Sequence, residues 1–217
     1  MKIGVITDIH EHVGHLRRAL DLLHRESVEQ IVCIGDVFEM GERIEEVCRL
    51  LTEAKVIGVW GNHDFGLCVD PDDAIRARYP EAVLNFMSTL RPRLDIEGCH
   101  FTHVEPWLDP NILADLWYFE GPPDQHGKLD RIFSAVPNRI MFCGHFHEWL
   151  AATPAGIKEW RGESPLCVDQ DRYFVVIGAL CDGSFAIFDS DTSVLTPCNQ
   201  KWRFPLTQDP GKAEQKR

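Results

Sequence analysis

Short apolar runs recur along the chain, and each is closed by Gly or Asp. Ile3–Thr7 precedes Asp8, Ile31–Ile34 precedes Gly35, Val56–Trp60 precedes Gly61, and Arg139–Cys143 precedes Gly144. Runs of that length, rich in Val and Ile, read as buried strands. Between the first two, Val13, Leu16, Leu20 and Leu23 recur at helical spacing, which predicts a helix over 12–26. Strands are expected at 2–7, 30–34 and 56–60. A second helix is expected at 42–54, with Ile44, Val47 and Leu51 as its apolar stripe. Strand and helix therefore alternate, the pattern of parallel strands joined by right-handed crossovers.

The pattern changes further along. Asp70-Pro71-Asp72-Asp73 reads as a helix start, and 82–90 as a helix. Residues 109–119 and 125–136 read as helices around the turn Gly121-Pro122-Pro123. Beyond 147 the chain becomes β-rich, with strands at Tyr173–Ile177 and Phe185–Phe188, the turn Cys181-Asp182-Gly183, and a last strand around Trp202. Short strands with such turns predict antiparallel pairing. The expected architecture is α/β, with two packed mixed β-sheets flanked by helices in a four-layer αββα sandwich. A single domain over 1–206 is expected, followed by a polar, disordered tail at 207–217, with neither internal repeat nor interdomain linker.

Composition narrows the class. The chain has 217 residues, 44% of them hydrophobic, enough for one domain with a sizeable core. Its net charge of −12 argues against broad nucleic-acid binding, which needs clustered Lys and Arg. No apolar run is long enough to span a bilayer. The opening MKIGVIT reads as a strand and not as a secretory leader. The eight cysteines are scattered without a C-x-x-C pair, so reduced, mostly buried thiols in a cytoplasmic protein are expected.

The strand ends carry the chemistry. They deliver Asp8 and His10, then Asp36, then Asn62-His63-Asp64, then His145 and His147; His103 follows a shorter run, Cys99–Phe101. Open α/β sheets place ligands at the carboxyl ends of their strands. This mixture of carboxylate, amide and imidazole suits two divalent metal ions held close together. A carboxylate must then lie between the cations, and Asp36, alone at a strand end behind Gly35, is the natural bridge. Asp8 and His10 are two apart, so an extended backbone would lean both side chains one way, and His145 and His147 repeat that spacing. Two aspartates facing two dications leave a local positive excess, which favours an anionic substrate such as a phosphate ester. A histidine beside such cations can protonate a departing alkoxide near neutral pH, the role expected of His63.

The series D-x-H, G-D, G-N-H-D, H and G-H-x-H, running from Asp8 to His147, resembles the calcineurin-like metallophosphoesterases, in particular their small single-domain bacterial and archaeal phosphodiesterase branch. The resemblance implies one metal held by Asp8, His10, Asp36 and His147, and a second held by Asp36, Asn62, His103 and His145. It implies that His63 is a non-ligand general acid whose ring Asp64 orients. Two divalent ions are expected, manganese first, with iron, zinc, cobalt or nickel as alternatives. The expected activity is hydrolysis of a small-molecule phosphodiester or phosphomonoester by in-line attack of a metal-bridging hydroxide.

Some positions depart from that family. Many of its protein phosphatases carry Arg-Gly soon after the G-D motif, whereas Val37-Phe38-Glu39-Met40-Gly41 stands here. This counts against a phosphoprotein substrate. A catalytically silent interaction module on the same fold is the other alternative, and the presence of His63 counts against it. His12 follows the first motif closely and is a candidate phosphate contact. The stretch 105–137, between two metal-binding motifs and rich in aromatics, is expected to shape the substrate pocket.

Overall fold

A computed structural model describes residues 1–123 and 125–199. The chain enters through β1 (Lys2–Ile6), α1 (Val13–Arg25), β2 (Gln30–Ile34), α2 (Ile44–Glu53) and β3 (Ile57–Val59). The short helices α3 (Phe65–Cys68), α4 (Asp73–Arg78) and α5 (Glu81–Met87) follow, then β4 (Leu94–Ile96) and β5 (Cys99–Thr102). Next come α6 (Leu113–Leu116), α7 (Lys128–Ala135), β6 (Ile140–Cys143), β7 (Leu150–Thr153), β8 (Gly156–Ile157) and β9 (Leu166–Cys167). The described chain closes with β10 (Tyr173–Val176), β11 (Ser184–Asp189) and β12 (Val194–Asn199).

The strands form two mixed six-stranded sheets, ordered β3-β2-β1-β11-β12-β9 and β4-β5-β6-β10-β7-β8. In the first, β1, β2 and β3 run parallel and β11 returns antiparallel beside β1. In the second, β5, β6 and β10 run parallel and β7 returns antiparallel. Period-two alternation splits each strand between two cores. Ile3, Val5, Val32 and Ile34 of the first sheet meet Phe101, Phe142 and Val175 of the second in the layer between the sheets. Ring centroids of Phe101 and Phe142 lie 5.2 Å apart and those of Phe142 and Phe188 5.4 Å, so an aromatic row fills that layer.

The opposite faces carry the helices. Ile6 and Cys33 pack under α1, α2 and α5 through Leu16, Leu23, Val47, Leu51 and Phe86. Met141 and Cys143 pack under Ile132 and Phe133 of α7. This is the four-layer arrangement of two sheets between helices. β1, β6 and β10 are buried on both faces along nearly their whole length, which is why they read as unbroken apolar runs.

Several elements are shorter than the sequence pattern predicts. The helix expected at 109–119 contracts to Leu113–Leu116, because the Asp109 carboxylate accepts from the Asn111 backbone N–H and Asp109 N–H donates to the Asp115 carboxylate, a turn that competes with helix. The helix expected at 125–136 starts at Lys128, after Gly127 takes a left-handed φ of 69°. The strand expected around Trp202 and the tail at 207–217 lie outside the described residues. Among the described residues no helix is long and apolar enough to cross a membrane.

Candidate metal centre

The site grows from three strand ends that stay connected after the strands stop. Asp8 N–H donates to Gly35 O, His10 N–H to Asp36 O and Glu11 N–H to Val37 O, so the loops after β1 and β2 are zipped together. Leu180 and Cys181 donate to Thr7 O and Asp8 O, which ties the turn before β11 to the same loop. Across the sheets, His145 N–H donates to Asp8 Oδ2 at 3.1 Å and the Thr7 hydroxyl donates to the same oxygen at 2.7 Å. Asp8 is thereby fixed by both halves of the molecule.

The backbone here is not extended, contrary to the simple geometry expected for Asp8/His10 and His145/His147. Asp8, His10, Asp36, His145 and His147 all have left-handed φ angles, 51°, 43°, 53°, 69° and 54°. Such angles cost L-residues roughly 1–2 kcal/mol each and persist only where the surroundings hold them. The zipped loops supply that restraint and turn the side chains inward. Gly35 and Gly61 leave room for it. Gly35 has φ 86°, and a Cβ there would stand 2.7 Å from His103 Nδ1; a Cβ on Gly61 would stand 2.1 Å from Asp36 Oδ1.

The seven expected ligands converge in two adjoining nests. In the first, His147 Nε2 lies 3.3 Å from Asp8 Oδ1 and 3.2 Å from His10 Nε2. In the second, Asn62 Oδ1 lies 3.0 Å from both His103 Nε2 and His145 Nδ1. Asp36 Oδ2 stands between them, 3.7 Å from His10 Nε2 and 3.4 Å from His103 Nε2. Asp8 Oδ1 is buried and accepts no hydrogen bond, an orphaned carboxylate oxygen aimed at converging imidazoles. A divalent cation resolves that deficit, and the mixed O/N donor set suits one in each nest. Chemistry and placement both fit two metal ions.

Tautomers and charges agree. The Ile34 carbonyl, 2.7 Å from His103 Nδ1, can only accept, so Nδ1 carries the proton and Nε2 faces Asn62 and Asp36. Burial favours neutral forms of Asp36 and His103, but each outweighs that for the other: the imidazole holds the Asp36 carboxyl below its usual range, and the carboxylate lifts His103. His147 is raised to about 10, chiefly by the Asp8 carboxylate 3.3 Å from its Nε2, and His145 is lowered to about 4 by burial and by the neighbouring His103 charge. Without a cation, protonated imidazole supplies the positive charge these carboxylates face.

His63 borders the same cleft, its ring 4.9 Å from that of His10 and edge-on to it. Its expected partner is elsewhere. The Asp64 carboxylate is fully buried and accepts from the N–H groups of Val37, Phe38 and Gly61 at 2.9–3.0 Å, bracing two ligand loops without touching the His63 ring. Burial, reinforced by the Asp36 charge, raises its pKa to about 6. The carboxylate facing His63 belongs to Glu39, whose Oε2 lies 3.6 Å from His63 Nδ1 and 2.6 Å from His10 Nδ1. The approach to His10 is short but off the N–H axis, an electrostatic contact and not a linear hydrogen bond.

Glu39 is held in turn by Glu11, whose carboxylate accepts from the N–H groups of Glu39, Gly41 and Arg43. Neither glutamate stands out in the sequence; the signal available is that Glu39 follows the Gly35-Asp36 motif by three residues. His12 also lines the cleft, stacked on His15 with centroids 5.6 Å apart. The cleft measures about 520 Å³, and Trp117, from the expected pocket-shaping stretch, forms part of its wall. His100, outside the cleft, is buried on β5, its Nδ1 2.9 Å from Asp95.

Residues 1–192 match the calcineurin-like phosphoesterase superfamily domain. The chain belongs to that superfamily, a class that is typically dimetal-dependent. It is 32% identical over 211 residues to the uncharacterized protein MJ0912 of Methanocaldococcus jannaschii, covering 86% of this chain and 82% of that one. A 68-residue stretch, 31% of this chain and 39% of the relative, is 34% identical to phosphodiesterase MJ0936 of the same organism. In fold, the chain is similar to a metallophosphoesterase from Sphaerobacter thermophilus, with a TM-score of 0.76, 22% identity, and coverage of 94% and 89% of the two chains.

Proposed function

We propose that this protein hydrolyses a small-molecule phosphate ester, with a diester favoured over a monoester, at a centre of two divalent metal ions. The placement of Asp36 Oδ2 between two nests of neutral-capable imidazoles and oxygen donors carries this reading. The likeness of residues in one stretch to a phosphodiesterase supports the diester preference. Asp8, His10, Asp36 and His147 would hold one ion, and Asp36, Asn62, His103 and His145 the other. The bound ions would supply Lewis acidity toward the phosphoryl oxygens and lower the pKa of water.

The chain's own groups do the rest. Ile34 O fixes the His103 tautomer and Glu39 faces His10 Nδ1, so both rings present Nε2 to the cleft. His63 holds the proton for the departing oxygen, with the Glu39 carboxylate 3.6 Å from its Nδ1. Asp64 keeps the loops of Asp36 and His63 in register through three backbone N–H groups. Manganese is the metal we expect and the cytoplasm the location, the latter supported by eight free thiols. Turnover of bis-p-nitrophenyl phosphate, p-nitrophenyl phosphate and a phosphopeptide, each with manganese added or chelated, tests the reading. Manganese-stimulated diester hydrolysis is expected; no stimulated turnover of any substrate would overturn it.

A further inference from the structure

The polar cleft has one large apolar wall. Among its described lining residues Trp117 alone offers an extended apolar surface, and none is Lys or Arg. The rest are imidazoles, carboxylates, the Asn62 amide and the Cys181 thiol. Among these lining residues a phosphoryl group therefore meets no lysine or arginine, and an organic group attached to it meets the indole as the one extended non-polar surface. Trp117 is 55% exposed on the cleft wall, open to a ligand. Its ring stands 5.2 Å from that of His63, tilted 47°, and so beside the histidine expected to meet the leaving group.

The backbone that carries the ring is held on both sides. Leu116, just before it, is fully buried in the helix-covered core. Tyr118, just after it, meets Trp107 edge-on at 5.4 Å and lies under the Lys128 ammonium. Lys128 is itself buried; its Nζ donates to Gly121 O at 2.9 Å and faces Glu105 Oε1 at 3.7 Å. This buried ion pair clasps the two ends of the 105–128 excursion. A rigid exposed aromatic loses little entropy when a ligand covers it.

We infer that Trp117 is a specificity-determining residue that stacks on a flat aromatic ring in the leaving group, so that the preferred substrates are phosphate esters of planar aromatic alcohols or ring-bearing groups such as nucleosides. This rests on the phosphoesterase reading above and goes beyond it by choosing the organic half of the substrate. An aromatic pair is worth enough to favour a flat ring about 3- to 10-fold over an aliphatic ring of equal size.

The test uses phosphonates, whose P–C bond a phosphoesterase leaves intact. Calorimetric titration of the manganese-loaded protein with phenylphosphonate and cyclohexylphosphonate should show tighter binding of the phenyl compound by about 3- to 10-fold. Trp117→Ala should bring the two affinities within about twofold of each other, and Trp117→Phe should restore part of the preference. Manganese-dependent turnover of bis-p-nitrophenyl phosphate, run alongside, reports on the underlying reading. Turnover intact with the phosphonates bound equally, or not bound, overturns the inference alone, as does a phenyl preference that survives Trp117→Ala. Absent turnover together with absent binding overturns the phosphoesterase reading, and the inference with it.

Discussion

The two sheets bring different chemistry to the cleft. The first supplies every oxygen donor, Asp8, Asp36 and Asn62, together with His10 and His63; the second supplies imidazoles alone, His103, His145 and His147. The first sheet's ligand loops are zipped to one another by backbone hydrogen bonds, whereas His103 sits fully buried at the end of β5 and is aimed by the Ile34 carbonyl of the opposite sheet. Neither sheet completes a nest. Each nest joins oxygen from one sheet to nitrogen from the other, so the centre exists only once the sheets have packed. Metal affinity and folding are coupled for that reason.

That division of labour can be broken at graded points. Asp36→Asn replaces the carboxylate shared by both nests with a neutral amide and should abolish measurable turnover, with loss of both metal equivalents. Metal analysis finding two full equivalents in that variant would remove the bridging role. His63→Ala belongs to the first sheet but to neither nest. We expect turnover to fall about 1,000-fold with metal content unchanged, and less for substrates with acidic leaving groups. A loss independent of leaving-group acidity would argue against proton donation by His63.

His147→Ala removes a second-sheet imidazole from one nest only. It should lose a single metal equivalent and at least about 100-fold in turnover, the upper end of what removing a ligand's outer partner costs. Loss of both equivalents would show that the nests fill as a unit. The smallest effects separate the two acids near His63. Glu39→Gln should lower kcat about 10-fold and leave thermal stability unchanged. Asp64→Asn should instead lower stability by about 1–3 kcal/mol, because an amide cannot accept all three backbone N–H groups, and be read as a drop in Tm. The reverse pattern would return the orienting role to Asp64.

Much of this was legible in the residues. The apolar runs that become β1 and β6, and the second half of β2, are unbroken because these segments are buried on both faces, and the stripes of α1 and α2 follow helical periodicity. Apart from His103, which follows the shorter run Cys99–Phe101, the ligands stand out because each lies within four residues of the end of such a run, and a parallel sheet brings the ends of its strands to one edge. The contracted helix at Leu113–Leu116 was less legible, since Asp109 and Asp115 contribute a competing turn whose bonds carry no periodic signal.

The sequence by itself therefore determined the alternation of elements, the two-sheet class and the kinds of donor available to the cleft. Tertiary structure alone decided the left-handed turns at Asp8, Asp36 and His145, the replacement of Asp64 by Glu39 beside His63, and the place of Trp117 on the cleft wall. The reason is physical. Burial and periodicity are properties of neighbouring residues, but a carboxylate's partner depends on loop paths closed by contacts between residues far apart in the chain, such as Glu11 with the backbone of residues 39–43.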